Sequence, residues 1–511
     1  MVVYRNPLKR GMKSMNEKIY LKELLCYKNA SEDMKKHKLY CPQRYFNLSR
    51  LPNTGIALEM DGYIRERGMN LTPLSIRSEL YPFHMLCDFL RGEYPNIQSF
   101  KSVEEDEMQR KAKIWMMKNG KSITQKRKRI SSDKISVEKP ALLRYIHRIY
   151  CYIEPEQTYY DYNSDRWYLA GAPMSIKTNP TKHVESISFK KISQLILRNE
   201  IKQVMYMHLS ELALGTVCAE MTAINRFSAF LVERYPEIES INNVDREVLE
   251  EYLVYINTEA KGRKSYSKEL HHLRSIFTTA GKILENKELE DMFYIDDIGK
   301  EPSKLYKVYS DTELKKLNAA IVEGDVQIAR ALMLHQLLGT RISETLSLKQ
   351  NAVREKSNGI TVICIQQIKT RNAYEKSINE DVKKLFEKAC EYTCDRYGER
   401  EYVFVNDKRP DEPMQYARIQ YQLMAMIRKN DLRDDSGKLF GVGTHIWRHC
   451  YGRRLTELHV DDVIIAKLLG HANTSSLKYY RKIGNQMLAD ETRAMRNMMD
   501  DMLNEIISEW N

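Results

Sequence analysis

Three short clusters toward the C-terminal end of the chain hold side chains that could act together on a phosphate. The first is Leu338-Gly339-Thr340-Arg341-Ile342-Ser343-Glu344. The second is Thr444-His445-Ile446-Trp447-Arg448-His449. The third is Leu468-Leu469-Gly470-His471, and Tyr480 follows nine residues after that histidine. A phosphodiester gathers negative charge as it becomes five-coordinate, and preorganised cations and donors are the strongest means of stabilising that charge. Arg341 and Arg448 suit this task, because a guanidinium stays charged and its fork matches phosphate oxygens better than an ammonium does. His445 stands one helical turn before Arg448, so the two share a face. A free tyrosine has a pKa near 10, so Tyr480 needs cations and a base to become a nucleophile. Singly, each residue has a structural explanation. Arg341 would be a cation at a helix C-terminus, Arg448 a salt-bridge partner, and His445 and His471 core histidines. Tyr480 would be one half-buried aromatic among 32 tyrosines. The ordered set is hard to explain that way.

The order of these clusters resembles the tyrosine recombinases, the phage-integrase type of site-specific recombinase. Their pattern is an Arg in Gly-x-Arg-x-Ser-Glu, then His-x-x-Arg, then Leu-Gly-His, then a nucleophilic Tyr. The resemblance covers roughly residues 305–485 as motif and, more loosely, 190–300 as the core-binding domain ahead of it. It implies attack by Tyr480 on a DNA phosphodiester to form a 3′-phosphotyrosyl bond. That bond keeps the energy of the broken diester, so rejoining needs no ATP, and no cofactor or metal is called for. The sequence holds no P-loop and no convincing cluster of metal-binding carboxylates. By the same resemblance His445 assists proton transfer around the nucleophile and His471 donates a hydrogen bond to the scissile phosphate. A lysine in the turn between two strands protonates the leaving 5′-oxygen. Lys369 is the matching candidate and Lys376 the weaker one. Tyr479 is the less favoured nucleophile, because the nine-residue offset points to Tyr480. Thr340 departs from the family's usual apolar residue and is given no role beyond neighbouring Arg341. Glu344 is read as a structural partner of nearby basic groups.

The elements that must position these residues are mostly helical. Apolar periodicity predicts helices at 311–322, 326–338, 381–397, 415–429, 445–458, 461–469 and 474–481. Ser310-Asp311-Thr312-Glu313 has capping-box form at the start of the first. Alternating β-branched runs at Ile360–Gln366 and Tyr374–Ile378 predict two strands, joined by a turn that holds Lys369. Tyr402–Val405 reads as extended. The tail Met487–Trp510 reads as an amphipathic helix, packing on its own core or docking on a neighbouring protomer.

An internal repeat organises the rest. Residues 89–103 read FLRGEYPNIQSFKSV and residues 230–244 read FLVERYPEIESINNV. Phe89, Leu90, Tyr94, Pro95, Ile97, Ser99 and Val103 match Phe230, Leu231, Tyr235, Pro236, Ile238, Ser240 and Val244 without a gap, and Glu79 meets Glu220. The offset of 141 residues is too long for a solenoid period and indicates two copies of one small helical domain. Each copy has an apolar helix (Ile76 to Leu90, Val217 to Leu231), a Tyr-Pro turn and an acidic helix start. Pro95 and Pro236 should stop the preceding helices.

The expected plan is an N-terminal extension (1–54), a first helical DNA-binding module (55–150), a linker (151–187) and a core-binding helical domain (188–300). A catalytic domain with a C-terminal interaction helix (305–511) follows. The fold class is mainly α with a small β-sheet (α+β). Lys plus Arg number 81 against 69 Asp plus Glu, a net charge of +12, which favours a polyanionic partner. Double-stranded DNA is the expected one. The candidate DNA contacts are Lys126, Arg127, Lys128 and Arg129 in the first module and Lys261, Arg263, Lys264 and Lys268 in the second. A homo-tetramer on two DNA sites follows from the resemblance, the need for partner recombinases is left open by the sequence, and the added module is similar to the transposase branch of mobile elements. No apolar run approaches the roughly 20 residues of a membrane helix, and Met1–Lys13 lacks the apolar core of a secretory signal. Nine cysteines at irregular spacing suit reduced thiols in a bacterial cytoplasm. The competing readings are a type IB topoisomerase-like enzyme and a non-catalytic DNA-binding accessory protein.

Overall fold

Amphipathic helices dominate the molecule, and prolines and capping side chains set where they stop. The computed structural model describes residues 17–128, 135–153, 159–259, 265–299, 308–441, 443–471 and 473–474. It divides into two units, Met1–Thr158 and Tyr159–Asn511. All nine cysteines are unbridged thiols. Among the described residues no helix is long and apolar enough to cross a membrane.

In the first unit, β1 (Lys18–Tyr20), the short helices α1 (Leu25–Lys28) and α2 (Glu32–Lys35), and β2 (Tyr45–Asn47) precede the helical bundle. The bundle holds α3 (Thr54–Asn70), α4 (Pro73–Ser78), α5 (Leu80–Glu93) and α6 (Glu105–Lys118). A ribbon of β3 (Gln125–Lys128) and β4 (Ile135–Glu138) then leads to α7 (Ala141–Ile153). Residues 17–53, expected as an extension, are folded into this unit. Ile19, Leu21, Phe46 and Leu48 are buried in one core with Met60, Phe83, Phe89 and Ile146. The helix expected from Ile76 to Leu90 is broken at Glu79. Pro82 explains the break: it has no N–H for the Ser78 carbonyl and its ring crowds that turn. The second copy has Ala223 at this position and keeps one continuous helix.

The second unit opens with β5 (Arg166–Tyr168) and β6 (Ser186–Ser188), followed by α8 (Leu195–Glu211), α9 (Leu214–Arg234), α10 (Arg246–Thr258), α11 (Ser267–Ile283) and the short α12 (Lys287–Glu290). Residues 159–187 were expected to be a linker and are instead a folded strap. Trp167 is fully buried against Phe189, and its indole N–H donates to the Tyr162 carbonyl at 3.0 Å. Asp165 pins the strap to α8 through Arg198 and Lys202. Composition hid this because a few aromatic residues carry the burial inside a Pro-, Asn- and Ser-rich stretch.

Helices α8–α10 repeat α3–α6 at the offset of 141 residues, and α11 follows α10 as α7 follows α6, at a shorter offset. Thr54–Asn70 becomes Leu195–Glu211 and the 3₁₀ turn Phe100–Ser102 becomes Ile241–Asn243. Polar anchors repeat as well. Glu59 accepts from the Ser99 hydroxyl and the Phe100 amide, and Glu200 accepts from the Ser240 hydroxyl and the Ile241 amide. Arg67 binds Glu79 at 2.6 Å, and His208 binds Glu220 at 2.8 Å. Tyr94 and Tyr235, each before a proline, end their helices with matching backbone angles.

The C-terminal region runs α13 (Asp311–Val322), α14 (Val326–Leu338), α15 (Ile342–Leu346), β7 (Val353–Glu355), β8 (Thr361–Gln366), β9 (Ala373–Ser377) and α16 (Glu380–Tyr397). It continues with β10 (Val405–Asn406), β11 (Arg409–Pro413), α17 (Tyr416–Lys429), α18 (His445–Glu457) and α19 (Asp462–Leu468). Ser310 and Glu313 form the expected capping box on α13. Strands β7, β8 and β9 make an antiparallel sheet, and Ile363 and Ile365 bury into a core with Leu332, Phe386, Phe404 and Trp447. Residues 475–481 of the helix expected at 474–481, and the tail Met487–Trp510, lie outside the described residues.

Candidate active site

The site is built where α14 ends, α18 begins and the β8–β9 hairpin folds over. Helix α14 stops at Gly339, whose φ is +58°. A Cβ there would lie 2.3 Å from the Tyr451 ring, so glycine serves both the left-handed turn and the close approach. Thr340 and Arg341 follow, and Arg341 caps the start of α15. Glu344, buried, accepts the Arg341 backbone N–H at 2.9 Å and its Nη1 at 2.6 Å. This bidentate pairing sets both the backbone and the guanidinium of Arg341, which stays 29% exposed.

Helix α18 begins at His445, so its positive end faces this site. Arg448 is 1% exposed. Its Nη1 donates to the Gly339 carbonyl at 2.9 Å, and its Nη2 donates to the Leu469 carbonyl and to His471 Nε2, the latter at 2.9 Å. Three acceptors offset the cost of burying the charge. Because Arg448 donates to Nε2, His471 is neutral with its proton on Nδ1. Burial first, then Arg448, Arg341 and His445, pull the pKa of His471 down to about 4. Desolvation, Arg448 and Arg341 also lower that of His445. The His445 ring stacks on His449 at 4.6 Å.

Arg341, His445, Arg448 and His471 are thus brought together from three distant parts of the chain. Lys369 is exposed in the β8–β9 turn. The base of that hairpin is held at the site, because Gln367 donates to the Gly470 carbonyl at 2.5 Å. Gly470 has φ +63°, and a Cβ there would come within 2.3 Å of Gln367 and 2.8 Å of Tyr374. Lys376 lies on β9, 4% exposed, and donates to the Leu338 carbonyl and to the Tyr451 hydroxyl. Burial and then Arg448 pull its pKa down to about 7. Tyr479 and Tyr480 lie outside the described residues. Of the candidate DNA contacts, Lys126 and Arg127 are exposed on β3, Lys128 ends that strand and Lys268 is exposed at the start of α11. Arg129, Lys261, Arg263 and Lys264 lie outside the described residues.

Sequence reasoning missed a buried relay beneath the site. Thr340, given no role above, is fully buried and lies 2.6 Å from Thr345 Oγ1. Thr345 in turn meets His335 Nδ1 at 3.2 Å, and His335 Nε2 meets the Thr444 carbonyl at 2.9 Å. A carbonyl only accepts, so Nε2 carries the proton and Nδ1 accepts from Thr345. The relay ties the Arg341 turn to the first residues of α18. The hydroxyl in place of the usual apolar side chain was the one signal for it. The strap also reaches the site: Asn179, Thr181 and Lys182 line the cleft that holds Arg341 and His445. Thr181 accepts from the Tyr416 amide at 3.0 Å.

A helical domain with a small antiparallel sheet thus presents two arginines beside two histidines, the arrangement expected from the resemblance to tyrosine recombinases. Residues 307–487 match the phage integrase family. It is similar to transposase B from transposon Tn554 of Staphylococcus aureus, 21% identical over 412 residues, which are 80% of this chain and 65% of that protein. The chain therefore spans less than two thirds of that relative's length. It is also similar to the tyrosine recombinase XerC of Staphylococcus aureus, 23% identical over 269 residues, covering 52% of this chain and 84% of that one. A solved structure of the XerH site-specific recombinase bound to a palindromic difH substrate aligns at 18% identity with a TM-score of 0.45. It covers 60% of this chain and 91% of XerH.

Proposed function

We propose that the protein is a site-specific DNA recombinase of the transposase kind, which cuts and rejoins duplex DNA through a 3′-phosphotyrosyl intermediate to integrate or excise a mobile element. The observation that carries this reading is the convergence of Arg341, His445, Arg448 and His471 at the positive end of α18. Arg341 and the remaining donors of Arg448 clamp the non-bridging oxygens of the scissile phosphate. His471 adds a neutral donor, and His445 handles the proton of the Tyr480 hydroxyl. Lys369 protonates the departing 5′-oxygen. Its exposure in the hairpin turn supports it over Lys376, whose ammonium is already engaged by Leu338 and Tyr451. The phenol displaces the 5′-oxygen at phosphorus. The reverse attack by a 5′-hydroxyl restores a diester with no net energy input. The partners are duplex DNA and further copies of the chain, four on a pair of sites.

The test is a duplex from the ends of the element that carries the gene, nicked close to the cleavage position so that the cut cannot reseal. Wild type should become covalently attached to the 3′ side of the cut, and Tyr480→Phe should bind the duplex without attaching. Arg341→Ala should cleave at least about 10²-fold more slowly with milder loss of binding. Binding without any wild-type adduct would favour the accessory-protein reading. Supercoil relaxation with no recombinant joints would favour the topoisomerase-like reading.

A further inference from the structure

The two helical repeats differ most between their third and fourth helices. In the second copy α10 and α11 are joined by residues 259–266, which include Lys261, Arg263 and Lys264. In the first copy α6 and α7 are joined by residues 119–140, which carry the β3–β4 ribbon. The same scaffold position therefore holds a basic connection twice, once extended into two antiparallel strands.

The ribbon has two unlike faces. Residues paired across an antiparallel ladder share a face, and faces alternate along each strand. Gln125 pairs with Glu138 and Arg127 with Ser136. This face is tied back to the bundle, because Arg144 on α7 donates to Glu138 at 3.1 Å and to Gln125 at 3.0 Å. On the other face Lys126 pairs with Val137, and position 128 pairs with Ile135. Val137 is 64% exposed and Ile135 61% exposed. Two β-branched apolar side chains displayed beside a lysine on an uncovered ribbon are an aggregation liability, which a partner would relieve.

We infer that the outer face of this ribbon enters the major groove of DNA and reads base edges there. Lys126 meets backbone phosphate or a guanine edge, and Ile135 and Val137 pack on thymine methyls. The inference rests on the proposed action on DNA. The major groove of B-DNA, about 12 Å wide, admits a two-stranded ribbon and displays the thymine methyl, which an apolar side chain recognises. A ribbon meant only for phosphate would gain nothing from Ile135 and Val137 on its outward face. The occupant is therefore duplex DNA with a sequence preference, at a segment distinct from the one gripped by the second copy.

The experiment is selection from a random-sequence duplex library with the full-length chain. Three forms are compared: wild type, the double variant Ile135→Ser with Val137→Ser, and Lys126→Ala. Wild type should select two separate sequence blocks. The double variant should lose preference for one of them by about 5-fold or more, the value of one mismatched pair, and keep the other. Lys126→Ala should weaken binding to all sequences and reduce the salt dependence by about one charge. A single block from wild type, or unchanged selection by the double variant, would overturn the inference. Adduct formation by wild type on the nicked duplex is scored separately. Two blocks without an adduct would remove the proposed chemistry and leave the ribbon's reading intact, and an adduct with one block would do the reverse.

Discussion

His335 is the residue that most directly joins burial to chemistry. It holds no phosphate, yet it links the turn bearing Arg341 to the helix bearing His445 and Arg448. Replacing it with leucine removes the acceptor of the Thr345 hydroxyl, which keeps Thr340 as a partner, and takes the imidazole donor from the Thr444 carbonyl. The expected cost is about 1–3 kcal/mol of stability, read from denaturant midpoints. Cleavage should slow while affinity for duplex DNA is kept, because positioning rather than binding is lost. Equal losses in both would show His335 to be a packing residue alone. Its titration gives a second expectation. Burial lowers the His335 pKa from 6.5 to about 4, so between those values the unfolded chain binds more protons than the folded one. Stability should therefore fall as pH drops from about 6.5 toward 4, by about 2–3 kcal/mol for this group. His335→Leu should flatten that part of the stability–pH curve, and an unchanged slope would mean that other groups carry it.

Among elements, the β8–β9 hairpin and the turn after α19 act as a pair. Gly470 lets the hairpin lie against the chain that carries His471, with Gln367 bonded to its carbonyl. Gly470→Ala would place a methyl on Gln367 and Tyr374 and require a left-handed alanine. A destabilisation of about 2–3 kcal/mol is expected. The cleavage defect should exceed that of Gln367→Ala, which removes the bond without forcing the hairpin away. Comparable single-turnover rates for the two variants would show that hairpin placement does not govern the reaction. The break between α4 and α5 is set by Pro82, whose counterpart Ala223 lets α9 run unbroken.

For the whole molecule, two repeats of one bundle carry separate hydrophobic cores. Glu59 and Glu200 occupy equivalent places and make the same two hydrogen bonds. Glu59→Gln and Glu200→Gln should each remove about 1–3 kcal/mol. Hydrogen exchange should report the loss within the bundle that carries the change. Protection lost equally in both bundles by either variant would mean that the two units unfold as one.

The sequence alone determined the repeat, the helices around the site and the identities of Arg341, His445, Arg448 and His471. Periodicity, proline stops and motif spacing are local properties, written into consecutive residues. The capping box at Ser310 and the helix Val326–Leu338 are legible for that reason. Tertiary structure alone decided that the Pro- and Ser-rich stretch around Trp167 is folded and reaches the cleft lined by Arg341 and His445. It alone assigned Thr340 to a buried relay and engaged Lys376 in the sheet while Lys369 stayed exposed. Each of these depends on which distant groups meet a side chain once water is excluded, as Arg448 meets the carbonyls of Gly339 and Leu469. Hydrogen-bond partners and desolvation are set by the packed fold, and sequence spacing carries no record of them.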